Sequence, residues 1–244
     1  MKLLLLALFA AVALAQENYD GPEYAPFDAS EIIPVEDFPG FWTIAAHCPI
    51  GSSSTLVIAG AHNRNVVEPN QQRRTVPSSG YRIHANYNPS NLNNDIAILI
   101  TPTPNFAFGA HVQAARMPTA FASELFVGET ARSTGWGRTT NTGATSAVLR
   151  KAYNPVITNA ACSAVYGGSV VIASVICIAT SGVNQGTCNG DSGGVLSVPR
   201  AGDTRPIQIG VTSFVAAAGC VAGFPSGFAR VTSFLTWINN NQNP

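Results

Sequence analysis

Residues that end regular structure interrupt this chain at short intervals, and that limits its fold more than any other property. There are 22 glycines and 16 prolines in 244 residues. Between them lie short β-rich runs: Leu56-Val57-Ile58-Ala59-Gly60, Tyr81-Arg82-Ile83, Ile96-Ala97-Ile98-Leu99-Ile100, and the alternating stretch from Ile207 to Phe214. Asn86-Tyr87-Asn88-Pro89-Ser90 and the segment from Asn91 to Asn94 are loop signals. Many short strands separated by turns predict an antiparallel barrel or sandwich.

With 46% apolar and 11% charged residues, the chain is long enough for one large or two small cores. Its formal net charge is zero, so charge gives no reason to expect a nucleic-acid or membrane partner. The neutrality hides an asymmetry. Residues 17–41 carry seven acidic side chains and no Lys or Arg, whereas the chain from Trp42 onward has six acidic against twelve basic residues. Lys2, the apolar run Leu3 to Leu14 and the small-residue site Ala13-Leu14-Ala15 read as a secretory signal peptide over residues 1–15. Residues 16–41, acidic and proline-rich, read as a pro-like segment or as a poorly ordered, solvated arm. Export places the cysteines in an oxidising compartment, and five cysteines leave one over.

The chemistry concentrates in Thr187-Cys188-Asn189-Gly190-Asp191-Ser192-Gly193-Gly194. Glycines beside a serine let a substrate approach the backbone and let N–H groups converge on one point, as acyl transfer requires. A serine hydroxyl needs a base to become a nucleophile, and the base needs an orienting group. Ile44-Ala45-Ala46-His47-Cys48 supplies a histidine, and Asn94-Asp95-Ile96-Ala97-Ile98-Leu99 supplies an aspartate at the mouth of the most apolar run. His62, His84 and His111 show no paired metal-ligand spacing, and His47 with Cys48 lacks further ligands. No metal or cofactor is expected.

These three contexts, in the order His, Asp, Ser, resemble the chymotrypsin-like serine proteases, from about Ala45 to Ile238. The resemblance implies an all-β fold of two antiparallel six-stranded barrels, the first incomplete. It sets an N-terminal barrel at 42–118, a C-terminal barrel at 119–231 and a helix at 232–241. Phe234, Leu235, Trp237 and Ile238 share a helical face, Ser233 is a candidate N-cap, and the helix is expected to pack on the second barrel. The catalytic residues implied are His47, Asp95 and Ser192, with the N–H groups of Gly190 and Ser192 as oxyanion hole. Gly186, Ser213, Phe214, Val215 and Ser226 would contact substrate. Gly186 stands where trypsin-like members keep an aspartate, which disfavours Lys or Arg, and Val215 replaces a glycine at the pocket mouth. Small or medium apolar residues before the scissile bond are expected, as in elastase-like members, with large aromatics, as in chymotrypsin-like ones, second. The overall pattern looks like arthropod digestive proteases. Disulfides Cys162–Cys177 and Cys188–Cys220 are implied, leaving Cys48 without a partner and able to link two chains of an otherwise monomeric protein. Protein or peptide substrates and protein protease inhibitors are the expected partners.

One departure from the family bears on activity. No Lys or Arg occurs between Gln16 and Asn63, so the usual basic activation site is missing, and no strands or cysteine are expected before His47. In the family a freed amine pairs with the aspartate corresponding to Asp191 and fixes the glycine-rich loop. Two classes follow: a secreted serine endopeptidase, or a silent or truncated homologue with a binding or regulatory role.

Overall fold

The computed structural model describes residues 40–182, 185–200 and 203–242. The signal peptide and all of the pro-like segment except Gly40 and Phe41 lie outside the described residues.

The first half supplies five strands in two sheets. β1 (Phe41–Ile44) and β4 (Tyr81–Ile83) flank β5 (Ala97–Ile100), both antiparallel to it. All four residues of β5 are buried, which suits an unbroken apolar run in a central position. β2 (Ser54–Ala59) pairs with β3 (Gln72–Pro77), and its Thr55, Val57 and Ala59 point inward in strict alternation. Among the described residues these two sheets do not close. β1 corrects the expectation that no strand precedes His47. Four residues bordering a proline-rich acidic segment carry little local signal, and Phe41 and Trp42 become a strand only by pairing with Ile100 and Leu99, far along the chain.

The second half closes into a six-stranded barrel. Its strands are β6 (Thr130–Gly135), β7 (Arg150–Ile157), β8 (Val175–Ile178), β9 (Val195–Arg200), β10 (Asp203–Phe214) and β11 (Ser226–Arg230). Their order around the barrel is β10-β11-β8-β7-β6-β9. Closure removes edge strands and encloses Ile176, Ile178, Leu196, Ile207, Ile209 and Phe228, all fully buried. Each such side chain contributes about 1.5–3 kcal/mol by leaving water. A short helix, α1 (Asn159–Tyr166), joins β7 to β8. Thr158 caps it, its hydroxyl accepting the Ala161 N–H at 3.1 Å. Cys162 of α1 is bonded to Cys177 of β8.

A 3-10 turn, Val231–Phe234, leads into the last helix, α2 (Leu235–Asn241). Ser233 lies inside that turn and caps nothing; Phe234 precedes the helix. The docking site is wider than expected: Phe234 and Ile238 are buried in the cluster that holds Ile44, Val57, Val76 and Ile96 to Ile100 together with Val211 of β10 and Ala229 of β11, so the end of the chain packs where the two halves meet. The end of the chain thereby completes the core that the two open sheets leave short.

His84 anchors this contact, meeting the rings of Phe234 at 5.2 Å and Trp237 at 5.1 Å, while its Nδ1 accepts the Asn86 N–H. Partial burial lowers its pKa below the ordinary 6.5, since the charged ring loses water. Because the folded value is the lower one, the docking contribution is complete above pH about 6.5 and declines as pH falls toward the folded pKa. Melting temperatures measured from pH 7.5 down to 5 (roughly the titration range of histidine) should therefore fall more steeply in the parent than in His84→Gln. Parallel curves would show that His84 does not couple to docking.

Candidate active site

Asp95, two residues before the buried strand β5, is only 1% exposed. A carboxylate there requires donors, and three are present. The His47 N–H donates to Oδ1 at 2.9 Å, His47 Nδ1 lies 2.7 Å from Oδ2, and the Ser213 hydroxyl donates to Oδ2 at 2.6 Å. An ionised carboxylate only accepts, so the His47 proton resides on Nδ1 and Nε2 carries a free lone pair. The His47 side chain is 28% exposed. Ala45 and Ala46, between β1 and His47, are completely buried.

Ser192 is tied to the same place through β10. Gly193 N–H donates to the Thr212 carbonyl at 2.8 Å, and Thr212 N–H donates to the Gly194 carbonyl at 2.8 Å. Ser213, next in β10, reaches Asp95. Three segments distant in sequence are thus linked by consecutive hydrogen bonds. The bend carrying Ser192 is held by Asp191 N–H to Cys188 carbonyl (3.0 Å) and Gly194 N–H to Asp191 carbonyl (2.9 Å). Gly190 has φ of +100°, a conformation that disfavours any side chain. Neither its N–H nor that of Ser192 has an acceptor among the described residues.

The Asp191 carboxylate accepts from Gly137 N–H at 2.7 Å and, back within the bend, from Cys188 N–H at 2.9 Å. A Cβ at Gly135 or Gly137 would collide with it. Burial still raises the Asp191 pKa, against the lowering effect of both donors. Backbone donors therefore hold this carboxylate in the described structure, where the resemblance had assigned the task to an inserted amine. The Gly-Trp-Gly at 135–137 was a sequence signal for this contact, passed over because only the fold brings it to Asp191. Trp136 between them is buried and donates its indole N–H to the His62 carbonyl at 2.9 Å.

The residues assigned to substrate gather nearby. Gly186 abuts Thr180 and Ser226: a Cβ there would lie 2.7 Å from Thr180 Cγ2 and 3.5 Å from Ser226 Oγ. Ser226 is buried at the start of β11. Ser213, through its hydroxyl, serves Asp95. The Phe214 ring covers Gly227 so closely that no side chain fits there, and meets Tyr166 edge to face at 5.2 Å. Val215, half-buried, follows the end of β10. Thr187 was missed by sequence reasoning; it adjoins Gly186, and its buried hydroxyl oxygen has no hydrogen-bond partner. Cys188 and Cys220 are bonded, bracing the Ser192 bend against the loop that follows β10.

Cys48 is 2% exposed. Burial, and secondarily the charge of Asp95, push its thiol pKa far up, so the reactive thiolate is suppressed. Within the described residues the thiol is enclosed in the folded core and forms no disulfide.

A protein-family model described as Trypsin matches residues 43–238. The chain belongs to the trypsin family. It is 40% identical over 195 residues to brachyurin of Leptuca pugilator, covering 80% of each chain. It is 35% identical over 198 residues to chymotrypsin-like elastase family member 1 of Canis lupus familiaris, covering 80% of this chain and 75% of that one. Among solved structures, HL collagenase superposes with a TM-score of 0.73 at 31% identity, covering 83% of this chain and 82% of the other. The trypsin-family fold thus holds here, with a closed second barrel and a short C-terminal helix.

Proposed function

We propose that this trypsin-family chain is a secreted endopeptidase that cleaves peptide bonds through an acyl-enzyme on Ser192. The observation that carries this reading is the buried Asp95 carboxylate, engaged by both His47 and Ser213. That arrangement fixes the imidazole tautomer with Nε2 free to act. His47 would take the Ser192 proton as the hydroxyl attacks the carbonyl and return it to the leaving amine. Asp95 would stabilise the imidazolium formed in between. The unpaired N–H groups of Gly190 and Ser192 would receive the oxyanion, each such donor being worth about 3–4 kcal/mol in comparable sites.

Specificity follows from uncharged walls. Gly186, Thr187 and Ser226 offer no carboxylate to a buried Lys or Arg, so binding one would leave a desolvated cation unpaired. Gly186 cannot gain a side chain without striking Thr180. Val215 narrows the entrance, favouring small or medium apolar side chains. The names of the relatives, an elastase family member and collagenases, agree with a non-tryptic preference. The signal-like residues 1–15 support export, and among the described residues no helix is long and apolar enough to cross a membrane. Digestion of dietary protein is the role that fits the arthropod-like sequence pattern. Protein and peptide substrates, and protein inhibitors that imitate them, are the corresponding partners.

The test is a panel of peptide amides differing only in the residue before the scissile bond. Ala, Val and Leu substrates should be hydrolysed at least ten-fold faster than Lys or Arg substrates, a factor of about 1.4 kcal/mol in transition-state binding. Preferential cleavage after Lys or Arg would refute the pocket assignment.

A further inference from the structure

The Ser192 bend has two flanks. On one, Gly193 and Gly194 are bonded to Thr212 of β10, the strand that carries Ser213 and leads into Val215 of the proposed substrate pocket. On the other, the Arg138 N–H donates to the Asn189 carbonyl at 2.9 Å, and Thr145 closes on Gly190: a Cβ there would lie 2.9 Å from Thr145 Cγ2. A substrate that lies along β10 and reacts at Ser192 therefore continues, past the bond to be cut, across this second flank.

That flank is cationic. The Arg64 guanidinium donates to the Thr145 hydroxyl through Nη2, and the rest of the group, Nε included, has no acceptor among the described residues. Arg138 pairs with Thr145 across an antiparallel bridge, and its guanidinium reaches only the Asn141 carbonyl, at 3.3 Å. Arg150 donates to the hydroxyl of Ser146, the residue after Thr145, at 3.0 Å. The backbone beneath is fixed, since Arg64 N–H donates to the Ala147 carbonyl and Leu149 N–H to the His62 carbonyl, both at 2.9 Å.

Among the described residues no carboxylate pairs with these three arginines. Glu68, four residues on from Arg64, is taken by the N–H groups of His62 and Asn63 and by the Gln71 amide. Asp191 is taken by Gly137 and Cys188. Cations gathered without a counter-charge favour a ligand that brings one, and the planar fork of a guanidinium matches a carboxylate in particular.

We propose that Arg64 and Arg138 form a subsite for an acidic side chain in the first few residues after the scissile bond. The preferred substrates are then peptides apolar before that bond and acidic beyond it. This rests on the endopeptidase reading and extends it to the leaving-group side.

The test uses internally quenched peptides with one fixed apolar residue before the bond and Asp-Asp, Asn-Asn or Lys-Lys at the second and third positions after it. kcat/KM should rise about ten-fold from Lys-Lys to Asp-Asp, attraction in one adding to repulsion in the other. Arg64→Gln should shrink that ratio several-fold, and Arg64→Lys, which keeps the charge, should restore most of it. Arg82→Gln, on β4, removes a guanidinium bonded to the Ser79 and Tyr81 carbonyls and should leave the ratio as in the parent. A purely structural role for Arg64 would lower all three rates alike and leave their ratio unchanged. Salt at about 1 M should compress the ratio in the parent by screening the arginines, which reads the charge even if Arg64→Gln folds poorly. Equal rates on the three peptides, or a ratio indifferent to both Arg64 and salt, would overturn the subsite while leaving the endopeptidase reading in place. Hydrolysis of none of them would overturn that reading and the subsite with it.

Discussion

Asp95→Asn should lower kcat/KM by about 10⁴-fold while leaving the fold intact. An equivalent substitution in a well-characterised protease triad has that magnitude; the geometry here supplies the reason to expect it. Asp95 accepts from the His47 backbone, His47 Nδ1 and the Ser213 hydroxyl. An amide in its place has one oxygen to satisfy those donors and presents an NH₂ group to another. If the NH₂ faces Nδ1, the ring must carry its proton on Nε2, where it can no longer accept from Ser192. The effect should fall on kcat more than on KM, because the bond matters most when His47 becomes charged. Steady-state kinetics with an apolar peptide amide check this. A loss below about ten-fold would mean that Asp95 is a structural turn residue and not the orienting acid.

Gly137→Ala should also lower activity strongly, by about 10²-fold, although Gly137 is no part of the proposed triad. Its N–H donates to Asp191, and a methyl group at its Cα would occupy the space of that carboxylate. The carboxylate must then shift and carry the Ser192 bend with it. A displacement of about 1 Å at a nucleophile can cost about 10²-fold in rate, and overpacking of this kind costs about 1–3 kcal/mol in stability. Gly109→Ala is the matching control: nothing lies near the added methyl, and its backbone is unstrained. Melting temperature and kcat/KM should both fall for Gly137→Ala and neither for Gly109→Ala. Indistinguishable variants would remove Asp191 as the support of the nucleophile bend.

What could be seen in the sequence was what short-range chemistry encodes. His47, Asp95 and Ser192 stand in compact contexts, and the strand over Tyr81–Ile83 coincides with its β-rich run. The features that sequence left hidden depend on distant partners. β1 exists because Phe41 to Ile44 find Ile100 to Ala97. The terminal helix was visible in its period, yet its docking where the first half meets β10 and β11 is decided by the space between those elements and by His84, not by anything within the helix. Helix α1 went unnoticed although Thr158 and Gly167 mark its ends, because its Ala- and Ser-rich surface buries only Cys162. The bond from Ser213 to Asp95 joins residues 118 positions apart and has no local signature.

The central claim is that these residues assemble a working nucleophile in a chain without the usual basic activation site. Reaction of the purified, secreted protein with a fluorophosphonate, followed by intact-mass and peptide analysis, tests it most directly, since such reagents require an activated serine. The expected result is a single adduct on Ser192, absent from His47→Ala. Folded protein that takes up no adduct would contradict it and leave a silent homologue with a binding or regulatory role.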